Sequence, residues 1–557
     1  MLSQKKVRFV CAWAGTLALS LLLPGLLFAA SGVTAYKVAQ VNPSGATLSY
    51  GFGINKMSTV VGVFTAANGN TEGFQLKGTT YSTIVFPGSV NFTRALGIND
   101  SGLVVGDFFG SDSFYHGYLL SKGKYTQYDV DKGVVSTSIF GVNDSGDFVG
   151  TAGSEGFVNI GGTVTEFYGS GSSLTYAYSI NSSDEVVGQW FDSSNNSHGF
   201  YWANGSVTQI TYPGAAQTAC IGINASGVIS GYYVDSVGQT HGFLDTNGVF
   251  TSLSFYATAG INANGDVTGW YYGPGAANGE QYGYVASPKA LGSFSTIEVQ
   301  GATSTSTLAI NDSNDVAGWY TNSSGVTNGF VMVGTKVTNI NDPSAETGTT
   351  SVQGINSSED LVGSYVNSSN DYIGFLYSDG NYTDIIPSGV EASQAYGINS
   401  SGVIAGFAAV SPSQPEPFGF TYSNGTYTTI NVPNSQWTEC WGINNAGDIT
   451  CIWEDQNGLV EGSLYNGSTF TTLDVPGAYN TDIHSINNSG DIVFTWTDAS
   501  GNDHGAILSS GSYYVFDVPA ADGASTRCDG LNDSGEFVGR FIPASNSSAF
   551  EGYKGKL

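Results

Sequence analysis

The sequence predicts an all-β fold: tandem six-bladed β-propellers built from twelve four-stranded repeats of about 44 residues. Two observations carry this. Gly-Ile-Asn-x-x-Gly or a close variant returns twelve times in 557 residues, with its asparagine at Asn55, Asn99, Asn143, Asn181, Asn224, Asn262, Asn311, Asn356, Asn399, Asn444, Asn487 and Asn532. Between these points apolar and polar residues alternate with the period of a strand, and no helical period appears. The composition agrees, with 11% charged residues and 77 glycines.

The N-terminus is the exception. Lys5, Lys6 and Arg8 precede the apolar run Phe9 to Phe28, and Ala30-Ser31-Gly32 offers small residues for cleavage. Residues 1–32 read as a signal peptide, with Pro24 favouring cleavage over the rival, an uncleaved anchor. No cysteine follows the run where a lipoprotein needs one. No later stretch is apolar enough to span a membrane, so the expected location is secreted, extracellular or in the cell envelope.

The unit from Ala395 to Asn434 shows how one repeat folds. Its first strand ends at Gly397-Ile398-Asn399, and Ser400-Ser401-Gly402 turns the chain. Val403 to Phe407 is the second strand, and Gly419 to Tyr422 centres the third. Asn424-Gly425 is a hairpin dipeptide, and Tyr427 to Val432 is the fourth strand before Pro433. Eight of the twelve units have Gly three places after the asparagine, where a positive φ is expected. Another Gly stands seven places after it except at Cys451 and Phe494, and an aromatic follows two places later in all units but two. That aromatic stripe is expected to pack neighbouring sheets.

The two ends of the chain suggest ring closure. It opens with a fourth-strand pattern, Tyr36 to Val41, and stops after a third-strand one, Glu551-Gly552-Tyr553. The same break recurs mid-chain, where Gly283-Tyr284-Val285 and a Pro288 interruption precede a new fourth strand, Phe294 to Val299. With six asparagines on each side, the expected domains are a propeller over 33–290 and a second over 291–557.

The pattern resembles the extracellular HAF-repeat proteins, which pair a Gly-Ile-Asn-x-x-Gly run with a His-Ala-Phe strand. Here that strand reads His116-Gly117-Tyr118, His198-Gly199-Phe200, His241-Gly242-Phe243 and His504-Gly505-Ala506. The resemblance implies export and a propeller-like fold, and it carries no reaction.

Removing the leader subtracts three basic residues and no acids, leaving 13 basic against 45 acidic residues, a charge of −32. Nucleic acid is thereby excluded as a partner, since phosphate would be repelled and only Arg94, Arg527 and Arg540 remain as arginines. No zincin, zinc-ribbon, P-loop or hydrolase-elbow motif is present. Carboxylates recur four places after the asparagine, as at Asp147, Asp266 and Asp360; they read as solvated turn residues, with calcium as the alternative and no cofactor expected otherwise. Cys220 and Cys528 read as buried thiols. Counting outward from a turn at Asn444 to Gly447 sets Cys440 opposite Cys451, a disulfide candidate in an oxidising compartment.

The best irregularity lies on the innermost strand, at the positions three and five before the asparagine. In the first ring they are mostly apolar or aromatic, as in Phe140, Tyr176 and Tyr178, and are expected to act as packing residues. In the last three blades they become Glu439 and Trp441, Asp482 and His484, Arg527 and Asp529. Such residues in adjacent blades would share one concave site. His484 is the candidate proton carrier, Asp482 or Asp529 its partner, Arg527 a clamp and Trp441 a stacking face; a salt-linked lining without ligand is the alternative. The expected function is an exported, monomeric binding module for an extracellular glycan or surface protein. A polysaccharide hydrolase or lyase using the same group, or a structural envelope protein, are the rivals. Loops between second and third strands, at Ser193–Ser197, Gly273–Glu280 and Ser411–Pro417, vary while the blades do not.

Overall fold

The computed structural model describes residues 34–130, 135–169, 171–253, 257–272, 281–292, 294–410, 417–518, 521–543 and 549–557. Residues 1–33, with the segment expected to be a signal peptide, and the variable loops at 273–280 and 411–416 lie outside them. Among the described residues every regular element is a β-strand, and no helix is long and apolar enough to cross a membrane.

Each asparagine closes the first strand of a four-stranded antiparallel meander. Leu174–Ile180, Val186–Phe191, Ser197–Ala203 and Ser206–Ile210 form one such blade. The Asn181 side-chain oxygen accepts from the backbone N–H groups of Ser183 and Glu185 at 2.9 and 3.1 Å, which bends the chain into the second strand. The third turn residue then takes a positive φ. Eight glycines do so, and Ser58, Asp184, Asn314 and Glu359 adopt 55°, 59°, 69° and 64° in the other four units.

The other half of each asparagine does something the turn does not require. Its amide nitrogen donates to the backbone carbonyl of the asparagine in the next blade. The links run Asn55, Asn99, Asn143, Asn181, Asn224, Asn262 and back to Asn55, at 2.9–3.3 Å. A second cycle runs Asn311, Asn356, Asn399, Asn444, Asn487, Asn532 and back to Asn311, at 3.1–3.4 Å. Aspartate would keep the turn acceptor and lose this donor, so the amide is needed.

The glycine seven places on has a steric cause. The first strand is bulged three residues before the asparagine, as between Ala177 and Ser179. A Cβ on the glycine opposite would sit 1.9–2.2 Å from the carbonyl oxygen five residues before the asparagine, in all ten blades that have this glycine. A fully buried third-strand aromatic fills the space over it: Gly188 opposes Phe200, Gly106 opposes Tyr118, Gly539 opposes Tyr553. The two exceptions reverse the sizes. Cys451 faces Ser463, and the buried Phe494 faces Ala506, so each blade keeps one large group per pair except where a disulfide supplies the bulk.

Strand pairing also joins distant parts of the chain. Thr34–Val41 runs antiparallel to Gln281–Ala290, with Gln40 opposite Tyr284, and Phe294–Ile297 runs beside Glu551–Lys556, with Thr296 opposite Tyr553. Each pairing supplies the fourth strand of a blade whose other three strands come from the far end of its six. Thr34–Val41 has a second neighbour on its outer edge, Ser512–Phe516, with Lys37 opposite Tyr514. Val38 and Tyr271 share an apolar cluster with Ala478 and Val515 there, so an otherwise open strand edge is covered. Cys440 stands opposite Cys451 and is bonded to it, while Cys220 and Cys528 are free and buried, their thiols pushed up by burial.

Candidate functional site

The bulge decides which side chains face the axis of a ring. The extra residue, three before the asparagine, and the residue two places earlier point the same way, and the latter pairs in register with a residue eight after the asparagine: Tyr176 with Gln189, Arg94 with Asp107, Ala257 with Trp270, Arg527 with Arg540. These three positions per blade line each channel.

In the first six blades they enclose a cavity of about 780 Å³. Its walls are aromatic: Phe140 lies edge-on to Tyr176 and Tyr178 at 6.0 and 5.2 Å, and Trp270 meets Phe52 at 6.0 Å and Tyr232 at 6.3 Å. Phe140, Tyr176 and Tyr178 are half-buried, so the packing role expected of them is corrected: they present their faces to an open volume. Polar groups interrupt the walls. Arg94 donates through Nε to Asp107 at 2.9 Å, and the fully buried Asp107 also accepts from Ser138 at 2.6 Å. Gln189 donates to the Tyr178 hydroxyl at 2.8 Å, and Asn195, from the loop Ser193–Ser197, reaches the lining. Burial raises the Tyr178 hydroxyl far above its usual range, so it stays a neutral donor and acceptor.

The other channel is charged. Glu439, Trp441, Asp482 and Arg527 are half-buried on it, with His484 and Asp529 buried among them. Arg527 donates through Nε and Nη2 to Asp503 at 2.9 and 2.6 Å; Arg540 lies 3.7 Å from Asp529. Trp441 lies over Tyr396 with ring centres 4.0 Å apart and meets His484 edge-on at 4.8 Å. Burial, aided by Asp482, pushes Glu439 up to about 8, with the neighbouring Trp441 opposing. Asp482 is pushed up to about 6 by burial, with Arg527 opposing and Asp503 and Asp529 adding. Burial and the charges of Arg540 and Arg527 hold His484 down at about 3, and its Nε2 lies 3.2 Å from the Thr495 hydroxyl. At neutral pH His484 is thus an uncharged, feebly basic group. The proton-carrier role expected of it is not one this environment supports.

The remaining sequence candidates are accounted for by the framework. His116, His198, His241 and His504 lie against the second-strand aromatics Phe108, Trp190, Tyr233 and Trp496 at 5.2, 4.2, 5.0 and 4.4 Å, each with an aspartate within 3.5 Å. Turn carboxylates such as Asp266, Asp360 and Asp448 accept from the amide of their own asparagine at 2.8–3.0 Å. Among the described residues no group of three or more His, Cys, Asp or Glu side chains is placed to hold a metal ion.

No family model and no curated relative matches the chain. Solved structures similar to it include the SapL1 lectin in complex with alpha methyl fucoside, at 11% identity over 46% of this chain and 94% of that one, TM-score 0.33. The six-bladed Aleuria aurantia lectin is similar at 12% identity over 53% and 92%, TM-score 0.26. TolB from Acinetobacter baumannii is similar at 10% identity over 43% of this chain and 63% of TolB, TM-score 0.32. The architecture stands on the strand pairing itself.

Among the channel groups that escaped the sequence reading are Arg94, Trp270 and Arg540. Arg94 does stand five before its asparagine, but it is the lone charged residue there in the first six repeats. Trp270 and Arg540 lie eight after theirs, next to the aromatic stripe that drew attention. Alternation from that stripe would have found them, since the stripe faces between blades and its neighbour must face the axis.

Proposed function

We propose that the protein is an exported binding module that holds a neutral glycan in the channel of its first six blades. The observation that carries this is the cavity of about 780 Å³, walled by Phe140, Tyr176, Tyr178 and Trp270 and studded with Arg94, Gln189 and Asn195. A pyranose has apolar C–H faces and hydroxyls around its rim. Aromatic planes suit the first, and fixed amide, guanidinium and phenol groups suit the second. The charge of Arg94 is already cancelled by Asp107, and the mature chain is strongly acidic, so an anionic sugar is disfavoured. Binding is preferred to turnover because no carboxylate is among the described residues that line this cavity. The module acts as a monomer in this reading and uses no cofactor.

The test is calorimetric titration with a panel of neutral mono- and oligosaccharides. For the sugar that binds, Trp270→Ala and Phe140→Ala should each weaken affinity about tenfold or more, 1.4 kcal/mol, while melting stays cooperative. An affinity unchanged in both variants would falsify the assignment.

A further inference from the structure

The second channel holds more carboxylate than its own cations can neutralise. Arg527 is engaged by Asp503, and Arg540 stands beside Asp529. His484 is uncharged. Among the described residues, Glu439 and Asp482, on adjacent inner strands, have no cationic side chain bonded to either, and both are half-buried on the channel. A separate observation marks unmet capacity in the same place. Asp529 sits at the channel-facing bulge position with 6% exposure, and its Oδ2 accepts no hydrogen bond. Beside these acceptors lie the rings of Tyr396 and Trp441, packed on each other with centres 4.0 Å apart.

We propose that this channel is a site for a primary-ammonium ligand, held between the Glu439 and Asp482 carboxylates and against the Tyr396–Trp441 ring pair. The site is distinct from the neutral-sugar cavity of the first six blades. An ammonium brings three N–H donors to acceptors that lack them, one positive charge to an uncompensated pair of carboxylates, and a face for the aromatic quadrupole. A divalent metal fits less well, because Arg527 and Arg540 stand in the same cluster and repel it. Burial, with the Asp482 charge adding, raises the proton affinity of Glu439, and a bound cation would oppose both. Binding therefore displaces a proton from Glu439, and affinity rises with pH for as long as the ligand keeps its own ammonium proton. The groups that face this exchange are Asp482, Asp503, Asp529, Arg527, Arg540, His484 and Tyr396.

Two sources of ammonium, an amino sugar and a basic amino acid, share this chemistry and are separated by the probes. The full chain is titrated at pH 7, where glucosamine is mainly its ammonium form and Glu439 still carries its proton, with glucosamine and with lysine amide, and with N-acetylglucosamine as the uncharged control. Glucosamine or lysine amide should bind at least about tenfold more tightly than the control, release protons measurable by varying the buffer, and lose about tenfold in affinity in Glu439→Gln/Asp482→Asn. Tighter binding of glucosamine assigns the amino sugar; tighter binding of lysine amide assigns the amino acid. Trp270→Ala should leave this binding unchanged, which separates it from the first-channel proposal. Trp441→Ala tests the aromatic face should the double variant fold poorly. The proposal is overturned if neither ammonium compound outbinds N-acetylglucosamine, or if Trp441→Ala and the carboxylate variant both bind as the parent does.

Discussion

Arg94, Arg527 and Arg540 are the only arginines after residue 32, and all three face a channel with an aspartate as partner. In a chain this acidic, a guanidinium is spent only where planar, multivalent donors are useful. The asparagines show the same economy, each bending its own turn and linking to the next blade. We predict that Asn224→Asp, which keeps the turn acceptor and deletes the donor to Asn262, lowers stability by about 1–3 kcal/mol, read from chemical denaturation; an unchanged midpoint would show that the inter-blade link contributes nothing. Glu439 and His484 set opposite pH windows. The Glu439 proton affinity is raised from 4.5 to about 8, so the folded state keeps a proton the unfolded chain gives up, and stability falls as pH rises from 4.5 through 8. His484 is lowered from 6.5 to about 3, so its stabilising neutrality is present above 6.5 and lost as pH falls toward 3. Melting temperature measured against pH should therefore decline above 4.5 less steeply in Glu439→Gln than in the parent.

At the level of the blade, one large group is placed opposite one small one, and the chain itself contains both solutions. Phe494 opposite Ala506 inverts the usual Gly opposite Phe. Phe494→Ala should cost about 3–5 kcal/mol through the cavity it leaves, and adding Ala506→Phe should recover part of it; a double variant no more stable than the single one would show that the pairing is not interchangeable. In the turns, Glu359 holds φ at 64°, a conformation glycine adopts freely. Glu359→Gly is expected to raise stability by about 1 kcal/mol, visible as a higher denaturation midpoint. The first hairpin of the Thr438–Ile443 blade was legible because turn length sets which residues face each other, and Cys440 meets Cys451 as counted. Non-reducing peptide mapping should recover the two cysteines linked.

Across the whole molecule, the two cycles of six asparagines, each with its own closing strand pair, imply two cooperative bodies that share one strand edge. Expressed separately, 33–290 and 291–557 should each unfold cooperatively, and each should melt below the full chain, because Thr34–Val41 loses Ser512–Phe516 and the apolar cluster around Val38 and Val515 is opened. A fragment that fails to fold alone would mean that the shared edge is required for folding.

The twelvefold repeat made the strands, turns and closing pairs readable in advance, because alternation, Asn-Gly turns and sheet closure depend on near neighbours and on periodicity. Glu439, Trp441, Asp482, His484, Arg527 and Asp529 were likewise recognisable as one group, since equivalent places in consecutive blades must converge. Sequence alone could not show that the channel of the first six blades holds a cavity. Phe140 and Tyr178 look like packing residues in any strand, and only the spacing of six blades around an axis turns them into walls with a cavity between them. Nor could it weigh His484, whose basicity is set by burial and by Arg540 and Arg527, which face each other on the next blade. Periodicity determines which residues face inward; the volume and the field they meet there are sums over all six blades, and those exist only in the closed tertiary structure.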